Sequence, residues 1–204
     1  MLLLKVCGMR DKNNISDLIE IQPDFIGLIF HEKSPRNVEQ HPQTIIPKGI
    51  RTVGVFVNET EGFVLDKINE FNLKYIQLHG DESPHFCKNV KRLNRKVIKA
   101  FNIHSAFDFS VLEEYAPYCD YFLFDAFGKN AGGNGITFDW ELLQQYKGET
   151  PFLLSGGIDS EMAGNLKSIE HPSYKGVDIN SKFELEPGLK HIEKIKLFKE
   201  QIKS

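Results

Sequence analysis

The chain lacks the features that would place it in a membrane or on nucleic acid. No apolar run approaches the roughly 20 residues that span a bilayer, and Met1-Leu2-Leu3-Leu4 is too short for the core of a signal peptide. The 25 Lys and Arg residues face 28 Asp and Glu residues, so there is no basic excess to attract nucleic acid or an anionic membrane. We therefore expect a cytoplasmic protein without such partners, which holds any bound anion by local groups.

Cysteine is also scarce. Cys7, Cys87 and Cys119 are an odd number without close pairing, which argues against a disulfide framework and against a zinc site. No linker or low-complexity tract interrupts a sequence that is 41% hydrophobic, so residues 1–204 are expected to form one domain with free thiols and no metal.

Short apolar runs alternate with longer amphipathic stretches along the whole chain. The runs of strand length are 2–7, 25–30, 51–57, 75–79, 97–101, 121–125, 151–155 and 176–180. A strand–helix cycle repeated eight times favours parallel strands in an α/β fold, a single-domain (β/α)8 barrel. The alternative is a doubly wound open sheet.

The helical stretches between the strands carry recognisable start signals. Apolar residues have helical spacing at 63–71, 138–143 and 191–202. Cap or first-turn residues are offered by Asp11, Ser83-Pro84, His104-Ser105 and Asp159-Ser160, so we expect helices to begin at these points.

Two strands end on residues that can transfer protons. Cys7 ends the first strand and Asp125 ends the sixth, at the edge where parallel barrels keep their chemistry. A free cysteine commonly only packs in a core, and Asp125 could instead cap the following loop. Facing one another, the two groups would suit proton transfer at two atoms of one substrate, as in an isomerase.

Side-chain alternation links Cys7 to an ion pair. If Cys7 points into the barrel mouth, Lys5 points into the lumen one layer below. The eighth strand closes beside the first, so Asp178 is the nearest counter-charge. Alternatively, a frayed first strand would turn Lys5 outward.

Loops that could hold an anion follow the last three strands, and two of them are rich in glycine. Barrels bind phosphate at this place through backbone N–H groups. Gly132-Gly133 follows strand six, Ser155-Gly156-Gly157 follows strand seven, and Asn180-Ser181 follows strand eight. A single glycine pair is more often a turn, but convergence on neighbouring loops predicts an anion site.

Three further residues are candidates near the same edge. Pro35 holds Ser34 extended and can present Arg36 across the mouth, where its planar fork could take a carboxylate. His79 and Lys99 both have the parity expected of lumen residues, and either could tune the site or complete its polar network.

Because these segments occur in this order along the sequence, the chain resembles the phosphoribosylanthranilate isomerases of tryptophan biosynthesis. The resemblance runs along nearly the whole sequence, through Lys5-Val6-Cys7-Gly8, 27–30, Ser34-Pro35-Arg36, 53–58, 77–80, Asp125, Gly132-Gly133, 137–140, 154–157 and 176–178.

The resemblance implies a cofactor-free Amadori rearrangement of N-(5-phosphoribosyl)anthranilate. The oligomeric state is open at this point, between a monomer and a homodimer. It assigns Cys7 as the general base at C2′ and Asp125 as the general acid at the ribose ring oxygen. Arg36 is expected to hold the anthranilate carboxylate and the glycine-rich loops the phosphate.

Two positions depart from the family pattern. Ile136 stands where the family often has lysine, and Asn180-Ser181-Lys182 replaces a usual Ser-Ser-Gly. These changes affect the expected phosphate site and loop geometry, not the acid or the base.

Two other functions compete with this reading. A related barrel of histidine biosynthesis performs the same rearrangement on another ribonucleotide, but its resemblance would require an aspartate in place of Cys7. A non-catalytic phosphate-binding barrel would need neither Cys7 nor Asp125.

Overall fold

The computed structural model describes residues 1–125 and 140–203. Eight parallel strands form a closed barrel: β1 (Leu3–Cys7), β2 (Phe25–Ile29), β3 (Arg51–Phe56), β4 (Tyr75–Leu78), β5 (Lys96–Asn102), β6 (Tyr121–Asp125), β7 (Phe152–Ser155) and β8 (Tyr174–Ile179). Because β1 pairs with both β2 and β8, the sheet has no free edge. The expected barrel is confirmed, and the open doubly wound sheet is excluded.

Helices pack around the outside of the barrel. They are α1 (Lys12–Ile21), α2 (Glu61–Phe71), α3 (Pro84–Arg92), α4 (Leu112–Tyr115), α5 (Ala163–Lys167) and α6 (Ile192–Lys203), with shorter 3-10 turns at 109–111, 116–118, 140–145, 160–162 and 181–183. None of the helices in this part of the chain has the length and apolar character that crossing a bilayer requires.

Three of the predicted helix starts are confirmed by their capping hydrogen bonds. The carboxylate of Asp11 accepts from the backbone N–H of Asn14 at 2.8 Å, and Ser83 Oγ accepts from Phe86 N–H at 3.2 Å. Asp159 accepts from Ser160 N–H at 2.5 Å, ahead of the 160–162 turn.

The helix start predicted at His104-Ser105 is wrong. After β5 the chain first makes a tight turn, in which Phe107 N–H donates to His104 O at 2.9 Å. The turn buries Ile103 and delays the helix, so Asp108 is the residue that caps the following 3-10 turn, by accepting from Ser110 N–H at 2.9 Å.

The eightfold strand–helix cycle is also incomplete. Between β2 and β3 the chain has no helix, and only an isolated bridge joins Ile29 to Asn37. Pro35, Pro42 and Pro47 disfavour helical backbone at the residues before them, which is sufficient to explain an irregular connection here.

One two-stranded element lies outside the barrel. A hairpin of β9 (Glu184–Glu186) and β10 (Leu189–Lys190) follows β8 and precedes α6. Its turn contains Gly188 at a φ of 88°, a conformation that side chains other than glycine rarely adopt.

The apolar interior is divided by the sheet into two layers. The smaller layer fills the lumen and comprises Cys7, Phe25, Val53, Val55, Ile98, Ala100, Leu123 and Leu153. At its floor, Phe25 makes edge-to-face contacts with Tyr75 and Tyr121 at centroid distances of 5.3 and 6.0 Å. The larger layer lies between the strands and the helices. Because aromatic rings fill the floor, polar chemistry is concentrated at the carboxyl ends of the strands, here called the mouth.

Candidate active site

Cys7 lies at the carboxyl end of β1, and the ion pair predicted beneath it is present. Lys5 is fully buried and its Nζ lies 2.7 Å from Asp178 Oδ2 on the adjoining β8. The register explains the pairing, because Lys5 and Asp178 are direct neighbours across the β1–β8 ladder. The alternative in which Lys5 turns outward is excluded.

The charges around Cys7 act in opposite directions on its thiol. Burial, the largest influence, and the carboxylate of Asp178 raise the pKa of Cys7, whereas the ammonium groups of Lys5 and Lys190 lower it, and the net pKa lies above its ordinary value. Burial also lowers the pKa of Lys5, but Asp178 and Cys7 outweigh this and hold it above its ordinary value. Lys5 is therefore a fixed cation beside the thiol, which counteracts part of the rise in the Cys7 pKa that burial causes.

Asp125 ends β6 and is oriented by a second polar pair. His79 Nε2 lies 3.3 Å from Asp125 Oδ2, and Gln77 Nε2 lies 2.7 Å from His79 Nδ1. The contact with Gln77 holds the imidazole ring so that Nε2 faces the Asp125 carboxylate. The other oxygen, Asp125 Oδ1, is buried and has no hydrogen-bond partner among the described residues.

These groups open into one cavity of about 290 Å³, which we call the mouth cavity. It is lined by nine of the residues predicted from the sequence: Cys7, His79, Asp125, Ser155, Gly156, Gly157, Asp178, Asn180 and Ser181. Gly132 and Gly133, also predicted to hold the phosphate, lie outside the described residues, as does Ile136.

The loop after β7 presents backbone to the mouth cavity. Gly156 and Gly157 both have positive φ, 97° and 63°, which other residues rarely adopt in succession. Within the described chain, their N–H groups donate to no acceptor. Successive glycines in such conformations form concave sites for anions.

Lys182 stands in the loop after β8, where the family usually has glycine, and the backbone there accommodates it. Its φ is not positive, so the backbone there does not require glycine. The residue is exposed and contributes to the lining of the mouth cavity, where its ammonium adds positive charge.

Arg36 is not among the residues that line the mouth cavity, but its side chain lies against Gly8, where a Cβ atom would come within 2.7 Å of Arg36 Cδ. Its guanidinium is engaged by Glu184, whose carboxylate also accepts from Lys190. Sequence reasoning missed Glu184 and Lys190. The Pro187-Gly188 pair between them is a turn signal that could have revealed the hairpin carrying both residues.

The prediction that Lys99 faces the lumen is wrong. Its neighbours Ile98 and Ala100 face the lumen, so Lys99 lies on the outer face of the barrel. There its Nζ donates to Gly80 O at 2.7 Å and to Ala100 O at 2.9 Å, and it lies 3.2 Å from the carboxylate of Glu82.

Comparison with known proteins gives a consistent result. A sequence model of the N-(5'-phosphoribosyl)anthranilate isomerase family matches residues 4–201. The chain is 45% identical to the N-(5'-phosphoribosyl)anthranilate isomerase of Parabacteroides distasonis, over 98% of this chain and 93% of that protein.

Solved structures agree with the sequence comparison. Mutually generated monomers of the dimeric Thermotoga maritima phosphoribosylanthranilate isomerase superpose with a TM-score of 0.81 at 27% identity, over 100% of this chain and 99% of that one. A phosphoribosylanthranilate isomerase in complex with reduced 1-(o-carboxyphenylamino)-1-deoxyribulose 5-phosphate gives 0.80 at 27% identity with the same coverage. The chain therefore belongs to the N-(5'-phosphoribosyl)anthranilate isomerase family.

Proposed function

We propose that the protein converts N-(5-phosphoribosyl)anthranilate into 1-(2-carboxyphenylamino)-1-deoxyribulose 5-phosphate, an isomerisation in tryptophan biosynthesis. The observation that carries the proposal is that a thiol and a carboxyl group, Cys7 and Asp125, line the same mouth cavity at the carboxyl ends of the strands. Support comes also from the family and from a related structure that holds the reduced product.

Asp125 is proposed as the general acid. It protonates the ribose ring oxygen, the bond from that oxygen to C1′ breaks, and the anilino nitrogen forms an iminium with C1′. His79 Nε2 faces Oδ2 of Asp125, which leaves Oδ1 as the oxygen that can carry the transferred proton.

Cys7 is proposed as the general base. Its thiolate removes the proton from C2′, the electron pair of that bond moves toward the iminium nitrogen, and the resulting enolamine tautomerises to the ketose. Lys5 supports this role because its positive charge favours the thiolate. No net oxidation or reduction takes place, so the reaction requires no cofactor.

The two ends of the substrate are proposed to bind at separate places. Arg36 takes the anthranilate carboxylate. The N–H groups of Gly156 and Gly157 and the loop at Asn180-Ser181 take the phosphate. Lys182 offers a cation to the phosphate. This compensates for the absence of the lysine that the family often has at the position of Ile136.

We also propose that the enzyme works in the cytoplasm as a monomer or a homodimer. The Thermotoga maritima relative is described as dimeric. Sedimentation velocity of the purified protein would distinguish the two states.

The direct experiment is turnover of freshly prepared phosphoribosylanthranilate. Its anthranilate group is fluorescent, so consumption of substrate can be followed continuously. The proposal predicts loss of fluorescence that depends on enzyme concentration and formation of the ketose. A folded protein that leaves the substrate unchanged would contradict it.

A further inference from the structure

Arg36 is held along one edge by a carboxylate of the protein itself. Its Nε lies 2.9 Å and 3.1 Å from the two oxygens of Glu184, and its Nη2 lies 2.5 Å from Glu184 Oε2. The two residues are 148 positions apart in sequence, and both side chains are largely shielded from solvent, with 19% and 5% exposed.

This pairing uses only part of the guanidinium. A guanidinium carries five N–H donors, and a carboxylate that binds side-on occupies Nε and one proton of Nη2. Both protons of Nη1 and the second proton of Nη2 remain, and among the described residues Nη1 donates to no side chain. That second edge has the two parallel N–H groups that another carboxylate requires.

Glu184 is in turn fixed from two other directions. Its Oε1 accepts from Lys190 Nζ at 2.6 Å and from the Gly188 N–H at 3.1 Å. Burial raises its pKa, but the hydrogen bonds from Arg36 and Lys190 outweigh burial and lower the pKa to about 2. Glu184 is therefore ionised at any pH at which the enzyme works.

Lys190 is built into the fold and is not a flexible surface side chain. It is 1% exposed, and its Nζ also donates to Asn180 Oδ1 at 2.7 Å. The buried amide of Asn14 on α1 clamps its backbone, accepting from Lys190 N–H at 2.7 Å and donating to Lys190 O at 2.9 Å. One carboxylate thus lies between two cations, which leaves one positive charge for an incoming anion.

This network touches the segment that carries the thiol. A Cβ atom on Gly8, the residue after Cys7, would lie 2.7 Å from Arg36 Cδ and 3.4 Å from Lys190 Nζ. Gly8 has a φ of 79°, so the backbone both adopts a glycine conformation and leaves room for the two cations.

We propose that Glu184 and Lys190 are positioning residues of this site: Glu184 fixes one edge of Arg36 so that the other edge receives the substrate's carboxylate, and Lys190 fixes Glu184. The inference rests on the proposed function, because it takes phosphoribosylanthranilate as the substrate.

The test compares Glu184→Gln with the parent on two substrates, phosphoribosylanthranilate and the phosphoribosyl derivative of aniline, which lacks the carboxylate. Loss of a charge-assisted hydrogen bond should raise KM for the first substrate by about tenfold or more, with kcat changed little. The kcat/KM for the aniline derivative should be the same in variant and parent. Glu186→Gln, an exposed glutamate on the same strand, is the matched control and should match the parent on both substrates.

The outcomes separate the inference from the proposed function. A parent enzyme that turns over neither substrate removes the proposed function and the inference with it. An active parent with equal losses on both substrates would mean that Glu184 only supports the fold, which overturns the inference. An unchanged or lowered KM would overturn it too, because removal of a merely repulsive negative charge should improve binding of an anion.

Two further variants keep the test decisive. Glu184→Asp retains the charge but shortens the reach, so it should show the same carboxylate-dependent rise in KM at smaller size, and it replaces Glu184→Gln if that variant does not fold. In an Arg36→Lys background, Glu184→Gln should add little to KM, since it acts through Arg36. Full additivity of the two effects on KM would contradict the inference.

Discussion

The protein buries a lysine, a carboxylate and a thiol together in two places. The first set, which we call the mouth cluster, is Lys5, Asp178 and Cys7 at the open end of the lumen. The second set, the outer cluster, is Lys99, Glu82 and Cys87, on the far side of the sheet between the strands and α3. The residue types are nearly the same, so composition cannot distinguish the two sets.

The outer cluster satisfies its own polar atoms. Lys99 Nζ donates to the carbonyls of Leu78, Gly80 and Ala100. The carboxylate of Glu82 accepts from the N–H groups of Asn58, at 2.9 Å, and Gly80, at 3.0 Å. Every charge is used to hold the end of β4 and the loop that follows it.

The mouth cluster and the cavity into which it opens leave polar atoms unused. Asp178 Oδ1, Asp125 Oδ1 and Gln77 Oε1 are buried without a hydrogen-bond partner among the described residues, and all three residues line the mouth cavity. Burial of unsatisfied polar atoms costs free energy, and in the mouth cavity three such atoms face one space that a substrate can enter. The two clusters therefore differ in the saturation of their polar atoms, and not in burial or residue type.

The largest expected effect comes from exchanging the two thiols for methyl groups. Cys7→Ala should lower kcat by roughly 10²–10⁴-fold, the usual loss when a general base is removed. Cys87→Ala should leave kcat unchanged, because its thiol reaches no part of the mouth cavity. Steady-state kinetics of the two variants with phosphoribosylanthranilate measures the difference. Equal losses of kcat in both variants would contradict the distinction between a reactive Cys7 and a structural Cys87.

The next largest effect should be on the free energy of unfolding, which should respond differently to substitutions in the two clusters. Lys5→Met and Lys99→Met should each cost about 3–5 kcal/mol of unfolding free energy, because a buried carboxylate loses its partner. Adding Asp178→Leu to the first variant should recover part of that loss. Adding Glu82→Leu to the second should not, because the N–H groups of Asn58 and Gly80 would then lose their acceptor.

Urea unfolding of the two single and two double variants provides the measurement. Equal recovery of the unfolding free energy in both double variants would show that Glu82 is not needed as an acceptor for the N–H groups of Asn58 and Gly80.

The smallest effect is a shift in pH dependence. Four charged groups act on the Cys7 thiol: Lys5, Asp178, Lys190 and Arg36. Because burial raises its pKa and a base must be ionised, kcat/KM should fall as the pH drops below that raised pKa. Lys190→Met removes a cation and should move this inflection to higher pH by about one unit.

Lys99→Met is the control for the pH profile, recorded well below its unfolding temperature. None of the residues of the outer cluster is among the main influences on the pKa of Cys7, so the inflection should stay where the parent has it. If Lys190→Met left the inflection unchanged, or moved it to lower pH, Lys190 would have no part in favouring the thiolate.

Much of the mouth could be predicted because parallel barrels bring the carboxyl ends of all strands to one edge. Cys7, Asp125 and Asp178 were identifiable as residues at or near strand ends, and the closure of β8 on β1 predicted the Lys5–Asp178 pair. Lys99 was misplaced because both faces of β5 are buried, so its continuous apolar run does not indicate which face is the lumen.

The Arg36–Glu184–Lys190 network was not predictable in the same way. The hairpin that carries Glu184 and Lys190 is extra to the strand–helix cycle, and its contact with Arg36 spans most of the chain. The irregular segment between β2 and β3 departs from the strand–helix cycle at its prolines, so the regular cycle does not predict it.

The most direct test of the central claim is the kcat of the double variant Cys7→Ala/Asp125→Asn beside the two single variants. If Cys7 and Asp125 divide one sequence of proton transfers, each single variant loses roughly 10²–10⁴-fold, and the double variant is worse than either by less than the product of the two losses. A single variant with the parental kcat, or a double variant whose loss equals the full product, would contradict the assignment of the mouth cavity as one acid–base site.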